Sequence, residues 1–454
     1  MTLLNWLPEL SILGALFLTL VMVNFRTLTI RALAPLVSIG LFLVLVYFSL
    51  RPDLAYFETP LSVLHSDSFS YFGRLLGVCS VSVFALGFYF HGALSVRSKQ
   101  LATLFLLFIA AFVSLLMQAN HWVLFAGAAI GIYFCAAHLI LIESGKDAHW
   151  IRIIRQKSMV FGVWLILLAI LFVLSMAMSG TQQVSEWLSR LEPAGGTPTG
   201  LWLSAILILF CAVIPLEALP HSGRAPLGVG VLYFGLHLVI QTFWIRIGVP
   251  FFNKAEILEK QHSQLLIALL LGAFTLRYAY QAVRAREHHR WFSASIPVLL
   301  GLGFFLTLLP SDRVLPAFFC FSLSLLFTVA LISKAFLDET YRQKGVVIGS
   351  LVTLMGVPPL ILGDQIYQLI HDVVLGGNWA AGIIMIVSWF GLAIAVIQMM
   401  GKVLIIRNAA KERRAPEVGE LFFVALYLLC VITLTIVRPA LSPLLNEHPL
   451  LNLW

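Results

Sequence analysis

Two stretches decide how this chain is read. One is Cys211-Ala-Val-Ile-Pro215-Leu-Glu217-Ala-Leu-Pro220-His221-Ser-Gly-Arg224-Ala-Pro226; the other is Gly356-Val-Pro358-Pro359-Leu-Ile-Leu-Gly363-Asp364. Each sets helix breakers inside a long apolar run. A proline in a helix removes one amide donor and clashes with the preceding turn. In lipid, the carbonyls so released must be met by protein or by a water-lined cavity. Pro215, Pro220, Gly356, Pro358 and Pro359 are therefore expected to mark backbone breaks buried in protein.

That the surroundings are lipid follows from composition. Of 454 residues, 60% are hydrophobic and 11% charged, and mean hydropathy is +0.96. A soluble domain carries about 25% charged residues, so too little polar surface is present to cover a water-soluble globule. The net charge of +8 comes from short cationic tracts between apolar runs. That pattern excludes a nucleic-acid-binding patch and matches juxtamembrane lysine and arginine. Cys79, Cys135, Cys211, Cys320 and Cys430 all lie in apolar runs without CxxC spacing, which argues against a metal site or disulfide framework. GxGxxG, paired haem histidines and a nucleophile–base–acid set are all missing. No cofactor, metal or catalytic residue is expected on this chain.

Runs of about 18–24 apolar residues read as membrane spans. Fourteen are expected: 5–24, 30–50, 69–91, 100–118, 120–142, 158–178, 201–217, 227–247, 263–283, 291–309, 314–334, 345–375, 378–402 and 419–437. Loops after odd-numbered spans hold 20 of the 29 lysines and arginines; loops after even-numbered spans and the C-terminal tail hold 7. The positive-inside rule then places both termini on the outer side. Polar stretches near 51–68, 179–200, 248–262 and 403–418 read as loops, and Arg277 in span nine reads as isolated.

Both breaks fall in the fourth helix of a five-span unit, if spans 4–8 and 9–13 are the units. Units with an odd number of spans insert in opposite orientations, and paired interrupted helices in inverted repeats point to a transport pathway. The fold class expected is an all-α polytopic membrane protein with two inverted five-helix repeats and broken helices seven and twelve. The parts are 1–99 (three spans), 100–247 (first repeat), 248–402 (second repeat) and 403–454 (cytoplasmic loop and last span).

At these breaks the sequence resembles the antiporter-like, proton-translocating membrane subunits of respiratory complex I, most of all those of the N type in bacterial NADH-quinone oxidoreductase. Gly356-Val-Pro-Pro359 with Gly363 resembles the family's G-x-P-P-L-x-G-F. Gln281-Ala-Val-Arg284 through His289-Arg290-Trp-Phe-Ser-Ala-Ser-Ile296 resembles A-L-x-Q-x-N-L-K-R-x-L-A-Y-S-S-I, and Pro215 to Pro226 a shortened P-F-H-x-W-x-P-D-x-Y-x-G-A-P. Arg155-Gln-Lys157 is similar to the A-L-K-Y segment opening span six. The likeness runs over residues 100–405.

The resemblance implies a bacterial inner-membrane protein with periplasmic termini. It further implies partnership with the other membrane and peripheral subunits of complex I, and NADH, FMN, iron–sulfur clusters and quinone held by those partners. The family's pathway glutamate position falls in Gly127–Ile130, its span-seven lysine near Phe210 or Cys211, and its span-twelve lysine among Asp364, Gln365 and Ile366. Its span-eight lysine falls at His237 counted back from Arg246, or one residue off counted from Pro226; histidine is the residue type that ordinarily titrates near neutral pH.

An ionisable residue inside a span should face a cavity or a partner. His237 is the foremost candidate for a proton relay. Glu217, two residues past Pro215, has unwound backbone or Arg224 as candidate partners. Asp364, Gln368 and His371 fall on one face if the helix resumes, forming a half-channel wall or a contact for a neighbouring subunit. His138 and Glu143 read as interfacial. Two other functions stay open: a structural brace of the membrane arm, and a cation/proton antiporter or hydrogenase-complex subunit of the same superfamily.

Overall fold

The computed structural model describes residues 68–89, 94–145, 147–191, 198–220, 226–254, 260–309, 311–335, 344–355 and 361–405. Spans one, two and fourteen lie outside them, as do His221, Arg224, Gly356, Pro358 and Pro359. The helices are α1 (Ser68–Tyr89), α2 (Val96–Gln118), α3 (Trp122–Glu143), α4 (Ala148–Ser179), α5 (Val184–Ser189), α6 (Pro198–Glu217), α7 (Pro226–Phe243), α8 (Val249–Lys254), α9 (Lys260–Arg284), α10 (His288–Gly303), α11 (Ser311–Ala335), α12 (Lys344–Met355), α13 (Ile361–Leu375) and α14 (Trp379–Ile405). A π-helical turn, Trp244–Gly248, joins α7 to α8, and a 3-10 turn, Phe304–Leu308, follows α10. Among the described residues no strand forms, and six helices are long and apolar enough to cross a membrane.

Local chemistry sets several helix ends. Ser95 and Asp147 accept hydrogen bonds from the Ser98 and His149 amides at the starts of α2 and α4. Gly180 ends α4 in the left-handed region at φ 70°, where a side chain would be strained. The stretch 179–200 is less loop-like than its Gly-Pro content suggests: α5 folds within it and buries Val184, Trp187 and Leu188. Asn120 holds α5 through its Oδ1, which accepts from the Ser185 amide at 3.0 Å.

The two five-span units pair their helices in the same way. In the first, α2 packs on α3, α3 on α7, α4 on α6, and α6 on α7. In the second, α9 packs on α10, α10 on α14, α11 on α12 and α13, and both of these on α14. The long span 345–375 is two helices, α12 and α13, lying on either side of residues 356–360.

At the centre lies α7, buried at every residue from Leu227 to Ile245 and touched by α1, α2, α3, α6, α10 and α11. Such close packing needs small residues. A Cβ at Gly228 would stand 2.7 Å from the Ile140 backbone nitrogen, and one at Gly235 2.7 Å from Ile132. The same approach lets Glu143 at the end of α3 cap α7: its carboxylate accepts from the Leu227 amide at 3.2 Å and the Gly228 amide at 2.7 Å. A carboxylate at a helix N-terminus meets unpaired amides and the positive end of the dipole.

Replacing Gly228 by alanine should force α7 off α3. The expected loss is about 1–3 kcal/mol, the usual cost of overpacking, read as a lowered unfolding midpoint of the detergent-solubilised protein.

Candidate functional site

The break after α6 can be built from single hydrogen bonds. Pro215 has no amide hydrogen, so the carbonyl four residues earlier, Cys211 O, loses its helical donor. The indole Nε1 of Trp164, from α4, donates to that oxygen at 2.9 Å, and both residues are fully buried. The helix then runs out at Glu217, where the Ala218 and Leu219 amides still donate to Pro215 O and Leu216 O, and side chains reach the carbonyls in and just past its last turn. Tyr278 hydroxyl donates to Leu216 O at 3.5 Å, Lys157 Nζ to Glu217 O at 2.8 Å, and Tyr233 hydroxyl to Pro220 O at 3.3 Å. The break is thus filled with protein donors drawn from α4, α7 and α9.

The second break repeats the device. Met355, the last residue of α12, stands four before Pro359 in the sequence. Its carbonyl accepts from the Trp389 indole of α14 at 2.9 Å. In each unit a tryptophan from a packed neighbour thus donates to a backbone carbonyl beside the break: Cys211 O, which Pro215 leaves without its helical donor, and Met355 O at the end of α12.

Arg224, the candidate offered to Glu217 by its sequence neighbourhood, lies outside the described residues, and Glu217 has a partner that this neighbourhood did not offer. Its Oε1 accepts from Arg277 Nη1 at 2.8 Å, so Arg277 is a cross-unit ion-pair partner rather than an isolated cation. Arg277 comes from α9 and Glu217 from α6, so the pair ties the first unit to the second. The Glu217 and Arg277 side chains are 32% and 54% exposed, so the pair is open to the surroundings of the chain.

His237 occupies a different place. It lies eleven residues into α7, about 16 Å along the axis, and is 1% exposed. Its Nε2 and the Ser322 hydroxyl of α11 are 3.0 Å apart. Phe234, Phe318 and Phe321 surround the ring at 6.2–6.5 Å between centroids. One turn on, Gln241 is fully buried, and below both residues α10 presents Gly303, whose absent Cβ would stand 2.8 Å from Gln241 Nε2 and 3.5 Å from His237 Cε1. A buried polar centre of His237, Ser322 and Gln241 therefore forms where α7, α10 and α11 meet. Sequence reading missed Gln241 and Ser322. The four-residue spacing from His237 was the available signal for Gln241; Ser322, 85 residues away, had none.

Asp364 and His371 fall elsewhere again, on α13. Asp364 is half-buried in its first turn, whereas His371 is exposed, stacked on Tyr367 and 3.3 Å from the Asp372 carboxylate. His138 stacks on Phe105 and bonds the Phe134 carbonyl. Among the described residues no three side chains converge in a way that would hold a metal ion.

No family model and no curated protein sequence matches the chain. Solved structures do. A chain of respiratory complex I from Thermus thermophilus with bound NADH superposes with a TM-score of 0.73 at 13% identity, over 98% of this chain and 99% of that one. The Mrp complex from Dietzia sp. DQ12-45-1b gives 0.72 at 14% identity, over 98% and 97%. The membrane-bound sulfane sulfur reductase, an archaeal respiratory membrane complex, gives 0.71 at 11%, over 98% and 96%. The fold is that of a membrane chain found in each of these complexes. Identity this low carries the fold and nothing finer, and the fold is matched over nearly the whole length of each chain.

Trp164→Phe should destabilise the protein by about 1–3 kcal/mol, the cost of leaving a buried carbonyl unpaired. Adding Pro215→Ala should recover most of that loss, because the restored amide supplies Cys211 O from within the helix. A thermal-unfolding double-mutant cycle that came out additive would remove the tryptophan from this role.

Proposed function

We propose that the chain is an N-type membrane-arm subunit of a proton-translocating NADH-quinone oxidoreductase in a bacterial inner membrane. Flavin, iron–sulfur clusters, NADH and quinone belong to partner subunits, and this chain moves protons without redox chemistry of its own. What supports the reading most is the full-length fold shared with a chain of complex I, together with a proline break in the fourth helix of each unit.

In this reading His237 stands where the family places its central lysine. Burying a charge in mid-membrane is costly, whereas a neutral imidazole both donates and accepts hydrogen bonds and can pass a proton on. The Glu217–Arg277 pair and Lys157 border the break of α6, on the side that the loop charges make cytoplasmic. Asp364 borders the second break, and His371 lies near the far end of α13 on an exposed face suited to a neighbouring subunit.

A second reading is a cation/proton antiporter module, favoured by the equal likeness to a chain of the Mrp complex. Affinity purification of the tagged chain in mild detergent separates the two. Co-purifying flavin and iron–sulfur absorbance is expected for the first reading, and its absence supports the second.

His237→Ala should lower the proton-to-electron ratio of membrane vesicles while NADH oxidation persists. An unchanged ratio would leave this chain as a brace of the membrane arm.

A further inference from the structure

Buried polar groups are almost always hydrogen-bonded, and those that are not call for water or an ion. Three such atoms lie on two residues of α7. Among the described residues, the Gln241 side chain has neither its Nε2 nor its Oε1 paired, and His237 has only Nε2 engaged, its Nδ1 having no partner. Both residues are buried, four apart on α7, and both border Gly303. Leaving an amide and an imidazole nitrogen dry in such a place would cost several kcal/mol.

Water answers to this chemistry better than a cation does. A buried water makes about three hydrogen bonds, and the site offers two acceptors or donors from the amide and one from the ring. A cation would need oxygen ligands, and only Gln241 Oε1 is unpaired there. Gly303 has a role on the same account: a side chain at that position would meet the amide at 2.8 Å and Phe321 Cε1 at 3.3 Å, closing the space over Gln241.

We infer that Gln241 holds a water molecule against Nδ1 of His237, with Gly303 keeping the space clear. The imidazole then has a proton-passing partner on each nitrogen, water at Nδ1 and the Ser322 hydroxyl at Nε2. Gln241 is a positioning residue in this arrangement; the part it plays in proton transfer rests on the relay reading of His237, whereas the hydration itself does not. The face of α7 that carries the pair also carries Gly230, eleven residues before Gln241. There Ser333 Oγ of α11, likewise buried and unpaired, would stand 2.4 Å from an added Cβ. Residues at this spacing share one side of a helix, so the unpaired polar atoms follow one seam.

The test is water-edited solid-state NMR on the full chain in lipid bilayers, labelled with 15N-histidine. The His237 signal is identified by its loss in His237→Gln. Transfer from water to Nδ1 is expected in the parent and should fall several-fold in Gln241→Met and in Gly303→Ala, while the Ser322-bound Nε2 signal persists. Equal transfer in parent and Gln241→Met, or none in the parent, overturns the proposal. Vesicle proton-to-electron ratios separate the two levels. A fall in His237→Ala but not in Gln241→Met, with water transfer intact in the latter, removes Gln241 alone. Unchanged ratios in both remove the relay reading, and leave the NMR to decide the hydration.

Discussion

Every carbonyl that a proline releases inside a membrane needs a donor from somewhere other than bulk water. This constraint organises the two breaks. Pro215 leaves Cys211 O without its helical partner, and the Trp164 indole meets it at 2.9 Å. Met355 O, the last carbonyl of α12 and equally without a partner inside its helix, is met by Trp389 at the same distance. Because each indole comes from another helix, a break can exist only where that helix is already packed. The local break and the tertiary arrangement are one feature, and the pairing of α4 with α6 and of α12 with α14 follows from it as much as from apolar contact.

The same constraint explains the distribution of charge. Where the end of α6 opens, Lys157, Arg277 and Glu217 gather with Tyr278, and the carboxylate has a cation at 2.8 Å. Where α7 crosses the middle of the bundle, no acid or lysine lies among the buried polar residues: the groups are an imidazole, an amide and hydroxyls. A neutral group in the interior costs far less than an ion. Among the described residues, the groups buried along α7 are neutral, whereas the Glu217–Arg277 pair is partly exposed.

Much of the fold was legible beforehand because the signals are local. Apolar run length marks a span, loop lysine and arginine mark its orientation, and a proline marks a break, all without knowledge of neighbours. The described helices accordingly begin and end within a few residues of spans three to five, seven to eleven and thirteen; α4 starts ten residues before span six because its first turns carry the polar run from His149 to Lys157, and the twelfth span divides into α12 and α13 around its Gly-Pro-Pro segment. Two readings went astray where local composition misled. The stretch after Gly180 contains turn formers, yet α5 forms there because Trp187 packs against Trp122 and Phe251. Arg277 has no acid near it in sequence, but Glu217, sixty residues earlier, is its partner.

The sequence alone determined that the chain is a bundle of apolar helices in lipid, where its backbone must break, and that His237 is an ionisable group within a span. Hydrophobicity and proline chemistry act through single residues or short runs, so one strand of text carries them. Tertiary structure alone decided which donor meets each freed carbonyl, which cation meets Glu217, and that Ser322 and Gln241 complete the surroundings of His237. A hydrogen bond depends on the meeting of two atoms within about 3 Å, and residues 47, 60 or 85 positions apart reach that distance only through the packing of whole helices.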